Sequence, residues 1–191
     1  MSLREIITGY LDELKSALNS LKAEEIERAV EMIWEAYERG GTIFVIGNGG
    51  SASTAAHFAC DLGKGTSTEG RERLRVLSLA DNIALLTAWA NDTSYEEIFV
   101  QQLRNLMRPG DLLIAISASG NSPNVLRAAE YAKSIGCPVL GLTGFGGGKL
   151  AKMADHSIVV ASDRYGPVED IHLVLDHIFA RCIRAKLSSP R

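Results

Sequence analysis

Residues 42–62 read TIFVIGNGGSASTAAHFACDL, and the fold is decided there. The run Thr42–Ile46 is apolar and rich in β-branched residues, with the length of a buried strand and no alternation with polar residues. A Gly47-Asn48-Gly49-Gly50 turn follows, and Ser51–Leu62 then carries a helical period. The same strand-then-helix order recurs along the chain. Apolar runs lie at Leu74–Leu79, Leu112–Ser117, Pro138–Thr143 and Ser157–Ala161, with helical segments at Ser94–Leu106 and Pro123–Ile135 between them. Such alternation predicts an α/β chain with a parallel sheet covered on both faces. Two helices, Leu3–Leu18 and Ala23–Arg39, precede the first strand, and Pro167–Lys186 closes the chain. The leading helix has no strand to follow, so it is expected to pack on the closing helix or on another subunit. With no repeat, low-complexity tract or linker, residues 1–191 read as one domain, residues 1–40 being added N-terminal helices.

Composition narrows the function. The 191 residues carry 20 Lys+Arg and 23 Asp+Glu, a net charge of −3, which argues against broad nucleic-acid binding. Arg71, Arg73 and Arg75 bunch together, but Glu69 and Glu72 interleave with them, as in a solvated loop or strand edge. No apolar run approaches the roughly 18–20 residues needed to span a bilayer. The N-terminal MSLREIITGYLDELKSAL has no signal-peptide layout. Three scattered cysteines, Cys60, Cys137 and Cys182, fit a reducing, cytoplasmic location rather than a disulfide framework or thiolate zinc site.

A second turn matches the first in kind. Residues 112–126, LLIAISASGNSPNVL, pass from a strand through a serine-rich turn into a helix. Ligands of open parallel sheets bind beyond the carboxyl ends of strands, where both turns lie. Glycines let the backbone approach an anion, and a helix N-terminus offers free N–H groups and a favourable dipole. Serine hydroxyls add neutral donors. The competing reading is that these Ser and Asn side chains merely cap helices. Neither turn is a phosphate-binding loop ending in Gly-Lys-Ser/Thr, and the first gives only Gly47-Asn48-Gly49 of a dinucleotide fingerprint, with Ala52 where the third glycine belongs. A small phosphorylated molecule, with no nucleotide cofactor, is therefore expected.

GNGGSAS…HFA and ISASGNSPNVL, with ANDTSYEEIF between and LTGFGGGKLA after, resemble the sugar isomerase (SIS) domain, and within it the sedoheptulose-7-phosphate (phosphoheptose) isomerases. The resemblance runs from about Ile6 to Cys182. It implies a three-layer α/β/α sandwich with a five-stranded parallel sheet, assembled as a homotetramer with active sites at subunit interfaces. It implies aldose–ketose isomerisation of a seven-carbon sugar phosphate through an enediol, supplying a precursor of surface heptose glycans. Ser117, Ser119 and Ser122 then hold the phosphate, while Asn48, Gly49, Gly50, Ser51 and Asp92 contact the substrate. Phosphosugar-binding regulators share these turns, and a replication initiator that associates with DnaA shares the fold and the first turn, so an isomerase of another sugar phosphate and a non-catalytic binder are the alternatives.

The acid–base residues depart from that pattern. The resembled enzymes read His-Phe-Ala-Glu-Glu after the first turn, the last Glu being catalytic, where this chain has His57-Phe58-Ala59-Cys60-Asp61. They carry Gln and, eight residues later, a catalytic His, where this chain has Glu169 and His177. Asp61 and His177 are thus the expected catalytic pair, with Glu169 a further substrate contact. Where zinc is seen in relatives, these positions bind it, so one Zn²⁺ per subunit on His57, Asp61, Glu169 and His177 is a second possibility. His57 and Asp61, four apart, share a helix face. Glu169 and His177 are about 80° apart around a helix, whereas His172 lies about 140° from His177. The plainer reading makes Glu169, Asp170 and Asp176 a solvated acidic face and His177 an interface histidine. Lys64, flanked by glycines, is either a solvated lysine or an ammonium near the sugar phosphate, and Cys60 is expected to be packed.

Overall fold

The five apolar runs form one all-parallel sheet in the computed structural model, which describes residues 1–189. The strands are β1 (Thr42–Ile46), β2 (Arg75–Ser78), β3 (Leu112–Ser117), β4 (Val139–Thr143) and β5 (His156–Val159). Their spatial order is β2-β1-β3-β4-β5, with Val45 beside Ile114 and Ile114 beside Leu140. β1, β3 and β4 are buried along their whole length, which is why their sequences do not alternate. β2, at one edge, is partly exposed throughout.

The pleat divides the core in two. Ile43, Val45, Leu112, Ile114 and Ile116 face one layer, built from α2 (Ala23–Glu38), α3 (Gly50–Cys60) and α8 (Tyr165–Ser188). Phe44, Ile46, Leu113 and Ala115 face the other, built from α5 (Val100–Leu106), α6 (Pro123–Ser134) and α7 (Gly148–Met153). The helix after β1 therefore leaves to one face and the helix after β3 to the opposite face. Strand order reverses between these neighbours, which opens a crevice at their carboxyl ends.

The outer helices follow their residues. α1 (Leu3–Asn19) opens on a Ser2–Glu5 capping box and lies against α8, where the Tyr10 hydroxyl donates to Asp170 at 2.5 Å. That bond and its charge push the Tyr10 phenol up to about 12. Only Ala17 of α1 is buried, and Leu3, Ile6, Ile7 and Leu11 stay exposed. The expected helix over Ser94–Leu106 is a 3₁₀ turn, Tyr95–Glu97, followed by α5. Before it stands α4 (Ile83–Asp92), unforeseen as a helix: Leu86, Trp89 and Ala90 pack on the second core only in part, and Ile83 is 72% exposed. None of the helices among the described residues is long and apolar enough to cross a membrane.

Candidate active site

Neither turn caps its helix with the side chain of its N-cap residue. At the first, Gly49 takes φ 55°, a left-handed conformation natural to glycine, and caps α3 without a side-chain hydrogen bond. At the second, Ser122 is the N-cap residue of α6, yet its hydroxyl makes no cap bond and instead pairs with Ser117 Oγ at 3.2 Å. Pro123 begins α6, where its missing N–H costs nothing. The N-cap residues themselves therefore cap neither helix, and the side-chain acceptor in the first turn of α6 is Asn124 Oδ1, which takes the Val125 N–H at 3.0 Å. Ser51 and Ser117 are buried, Ser119 and Ser122 half-buried, all at the crevice end of the sheet.

An amide pair joins the two turns. Asn48 Nδ2 donates to Asn124 Oδ1 at 2.9 Å, and Asn124 Nδ2 returns a bond to Asn48 Oδ1 at 2.8 Å. The Tyr95 hydroxyl adds a third bond to Asn48 Oδ1, at 2.9 Å. Neither Asn124 nor Tyr95 stood out in the sequence, since a buried Asn at a helix start reads as an ordinary capping residue.

A second cluster forms where α3 meets α8. His57 Nε2 lies 3.3 Å from His177 Nε2 and 3.5 Å from Asp61 Oδ2, and His177 Nε2 lies 3.7 Å from the same Asp61 oxygen. Asp61 opens a single π-helical turn, Asp61–Gly65, a local widening frequent at functional sites. The fourth member is Asp176, with Oδ2 3.9 Å from His57 Nε2. Far from belonging to a solvated face, Asp176 is fully buried, and neither carboxylate oxygen has a hydrogen-bond partner. Burial, with the Asp61 charge added, pushes its carboxyl up to about 7. The donor atoms of His57, Asp61, Asp176 and His177 all lie within 4.8 Å of one another.

Glu169 is not in that group. It sits seven residues before Asp176, on the same stripe of α8 but two turns away. Its carboxylate rests on Gly50: a side chain at residue 50 would begin 2.5 Å from Glu169 Oε2. The missing Gly50 side chain is what lets α8 come this close to the start of α3. His172 points away from His177, as its angular offset requires, and is wholly buried with Nε2 3.3 Å from the Thr143 carbonyl. Burial holds its imidazole down at about 4, hence neutral. Asp92 ends α4 in the open, accepting from Asn91 Nδ2 at 2.8 Å. Lys64 is exposed on the π-helical turn, and Cys60, expected to be packed, is exposed in this chain.

The cluster suits a divalent cation. A tetrahedral zinc with ligand bonds of about 2.0–2.2 Å has ligand atoms roughly 3.3–3.6 Å apart, close to the His57, Asp61 and His177 spacings. Two imidazoles and two carboxylates would balance its charge, and a cation would satisfy the orphaned oxygens of Asp176.

Known proteins share this architecture. Residues 9–144 match the family model of the SIS domain. A phosphoheptose isomerase of Helicobacter pylori (strain P12) is 42% identical, over 92% of this chain and 90% of that one. The solved phosphoheptose isomerase of Neisseria gonorrhoeae superposes with a TM-score of 0.89 at 32% identity, covering 96% of this chain and all (100%) of that one. That of Francisella tularensis gives 0.91 at 29% identity, covering 97% and 100%.

Proposed function

The chain belongs to the SIS domain family, among the phosphoheptose isomerases, and from that premise we propose that it interconverts sedoheptulose 7-phosphate and D-glycero-D-manno-heptose 7-phosphate. It is a phosphosugar isomerase. The observation that carries the substrate reading is the separation of the first turn, which meets the sugar, from the acid–base cluster farther along α3. His57 lies seven residues beyond Gly50, about 10 Å along α3 from its N-terminus. An open-chain sugar phosphate of six or seven carbons reaches that far, and a triose phosphate does not.

The phosphate is held by Ser117, Ser119 and Ser122 and by the N–H groups starting α6, with no basic side chain required. Asn48, Gly49, Gly50 and Ser51 meet the sugar at the first turn, and Asp92 and Glu169 complete the contacts. At the far end, Asp61 removes a proton from C1 of the ketose, giving the enediol, and returns it to C2. His177 carries the matching oxygen proton, taking it from the C1 hydroxyl and placing it on the C2 oxygen, so that C1 becomes the aldehyde. The two groups are near enough to exchange protons, at 3.7 Å between Nε2 and Oδ2.

The orphaned Asp176 oxygens favour a second mode at the same place. His57, Asp61, Asp176 and His177 would hold one Zn²⁺, which when bound supplies Lewis-acid polarisation of the carbonyl. Glu169, outside that group and beside the first turn, stays a sugar contact in this mode as well. Exposed apolar residues on α1 and α4 support self-association, as a homotetramer in the cytoplasm.

NMR of the purified protein with sedoheptulose 7-phosphate in D₂O, with and without chelator, tests both modes. The expected result is an aldoheptose phosphate carrying deuterium at C2. Sensitivity to chelator assigns the metal mode, and insensitivity the carboxylate–imidazole mode. Binding without conversion would remove the isomerase reading in favour of a phosphosugar sensor.

A further inference from the structure

The crevice between β1 and β3 separates two helices that leave to opposite faces of the sheet, and one side-chain bridge spans it. Asn124 is 1% exposed, so its amide must be satisfied within the protein. The orientation of the bridge follows from a donor that cannot reverse. The Val125 backbone N–H donates to Asn124 Oδ1 at 3.0 Å, which fixes the oxygen side of that amide. Asn124 Nδ2 must then donate to Asn48 Oδ1, and Asn48 Nδ2 to Asn124 Oδ1. Tyr95 in turn is a donor, filling the second lone pair of Asn48 Oδ1. Only one N–H of Asn48 is left uncommitted in this arrangement. The first turn is thereby fixed to offer a donor, as a phosphate or sugar oxygen needs, and not an acceptor.

We propose that Asn124 and Tyr95 are positioning residues that set the orientation of Asn48 and the spacing of the two ligand-binding turns. The proposal rests on the sugar-phosphate reading above. Tyr95 is 60% exposed and lies on the 3₁₀ turn after α4, so its hydroxyl also ties the Asp92-bearing segment to the first turn. A ligand held by the second turn alone should not sense this bridge, whereas one that spans both turns should.

Tyr95→Phe removes one hydroxyl at an exposed position, and Asn124→Ala removes the whole bridge. Each is compared with the parent by calorimetric binding of inorganic phosphate and of sedoheptulose 7-phosphate, by steady-state kinetics and by thermal unfolding. In Tyr95→Phe the loss of one hydrogen bond should raise KM and weaken sugar-phosphate binding about three- to tenfold, with kcat within about twofold of the parent. Its affinity for inorganic phosphate and its Tm should be unchanged. Asn124→Ala should lose more sugar-phosphate affinity, in the same selective way. Unchanged sugar-phosphate binding in Tyr95→Phe would overturn the proposal, as would an equal loss for inorganic phosphate. A parent that neither binds nor converts the sugar phosphate would remove the underlying reading, whereas an active parent with an unaltered variant removes only the positioning role.

Discussion

His57 and His177 face one another across the seam of α3 and α8 with their Nε2 atoms 3.3 Å apart and their rings inclined at 72°. At that distance one ring's N–H can donate to the other's bare nitrogen, or both nitrogens can face one cation. Asp61 and Asp176 bring their carboxyl oxygens to the same spot.

Asp176 should govern cation binding more than Glu169 does. Titration of the metal-free protein with Co²⁺, read by its visible absorption, should give an affinity lowered at least tenfold to a hundredfold in Asp176→Asn. Glu169→Gln should stay within about threefold of the parent. The reverse order would return Glu169 to the ligand set.

Turnover should depend on both members of the proton-transferring pair. Asp61→Asn keeps the shape of the carboxylate and removes its basicity, and His177→Ala removes the imidazole. Each should lower kcat by about 10²- to 10⁴-fold while the exposed or partly exposed sites leave the fold intact. Near-parental kcat in both would remove the assigned roles.

Acid should weaken the fold through His172. Its imidazole is held at about 4 against an ordinary 6.5, so the native state binds fewer protons than the unfolded chain between those values. Its contribution is intact above about pH 6.5 and is lost as pH falls towards 4, by at most about tenfold per pH unit in the unfolding constant. His172→Gln should flatten that part of the profile, measured as urea midpoints at several pH values between neutrality and pH 4. An equally steep variant would show that other groups carry the acid sensitivity.

Self-association should pass through α4. Ile83 is 72% exposed and Leu85 39%, on a helix with no buried residue. Ile83→Asp should convert a tetramer into smaller species in sedimentation velocity. Sedimentation unchanged by the substitution would place the contacts elsewhere, with α1 the next face to examine.

The strands were legible because burial on both faces leaves unbroken apolar runs, and β1 and β3 have the bounds expected of them. The two turns were legible as strand-to-helix turns because glycine and serine end each apolar run just before a helix begins. α4 was not, since its apolar residues spread round the helix, Leu86, Trp89 and Ala90 reaching the core while Ile83 and Leu85 stay exposed. Asp176 was not either, because a charged residue between Leu175 and His177 reads as surface, and only the packing of α8 against α3 shows it fully buried. Tyr95 was invisible for a related reason: its role lies in one hydroxyl reaching a residue 47 positions away.

The sheet works as a partition between two chemistries. The residues proposed to move protons stand on helices rooted in one core, while the serine turn opens a helix rooted in the other. Exchanges such as Asp in place of Glu at 61, or Glu in place of Gln at 169, fall on α3 and α8 and leave the seat of α6 on the other core. Reactivity can thus be altered or lost in descendants of such a chain while recognition of the phosphate is inherited whole.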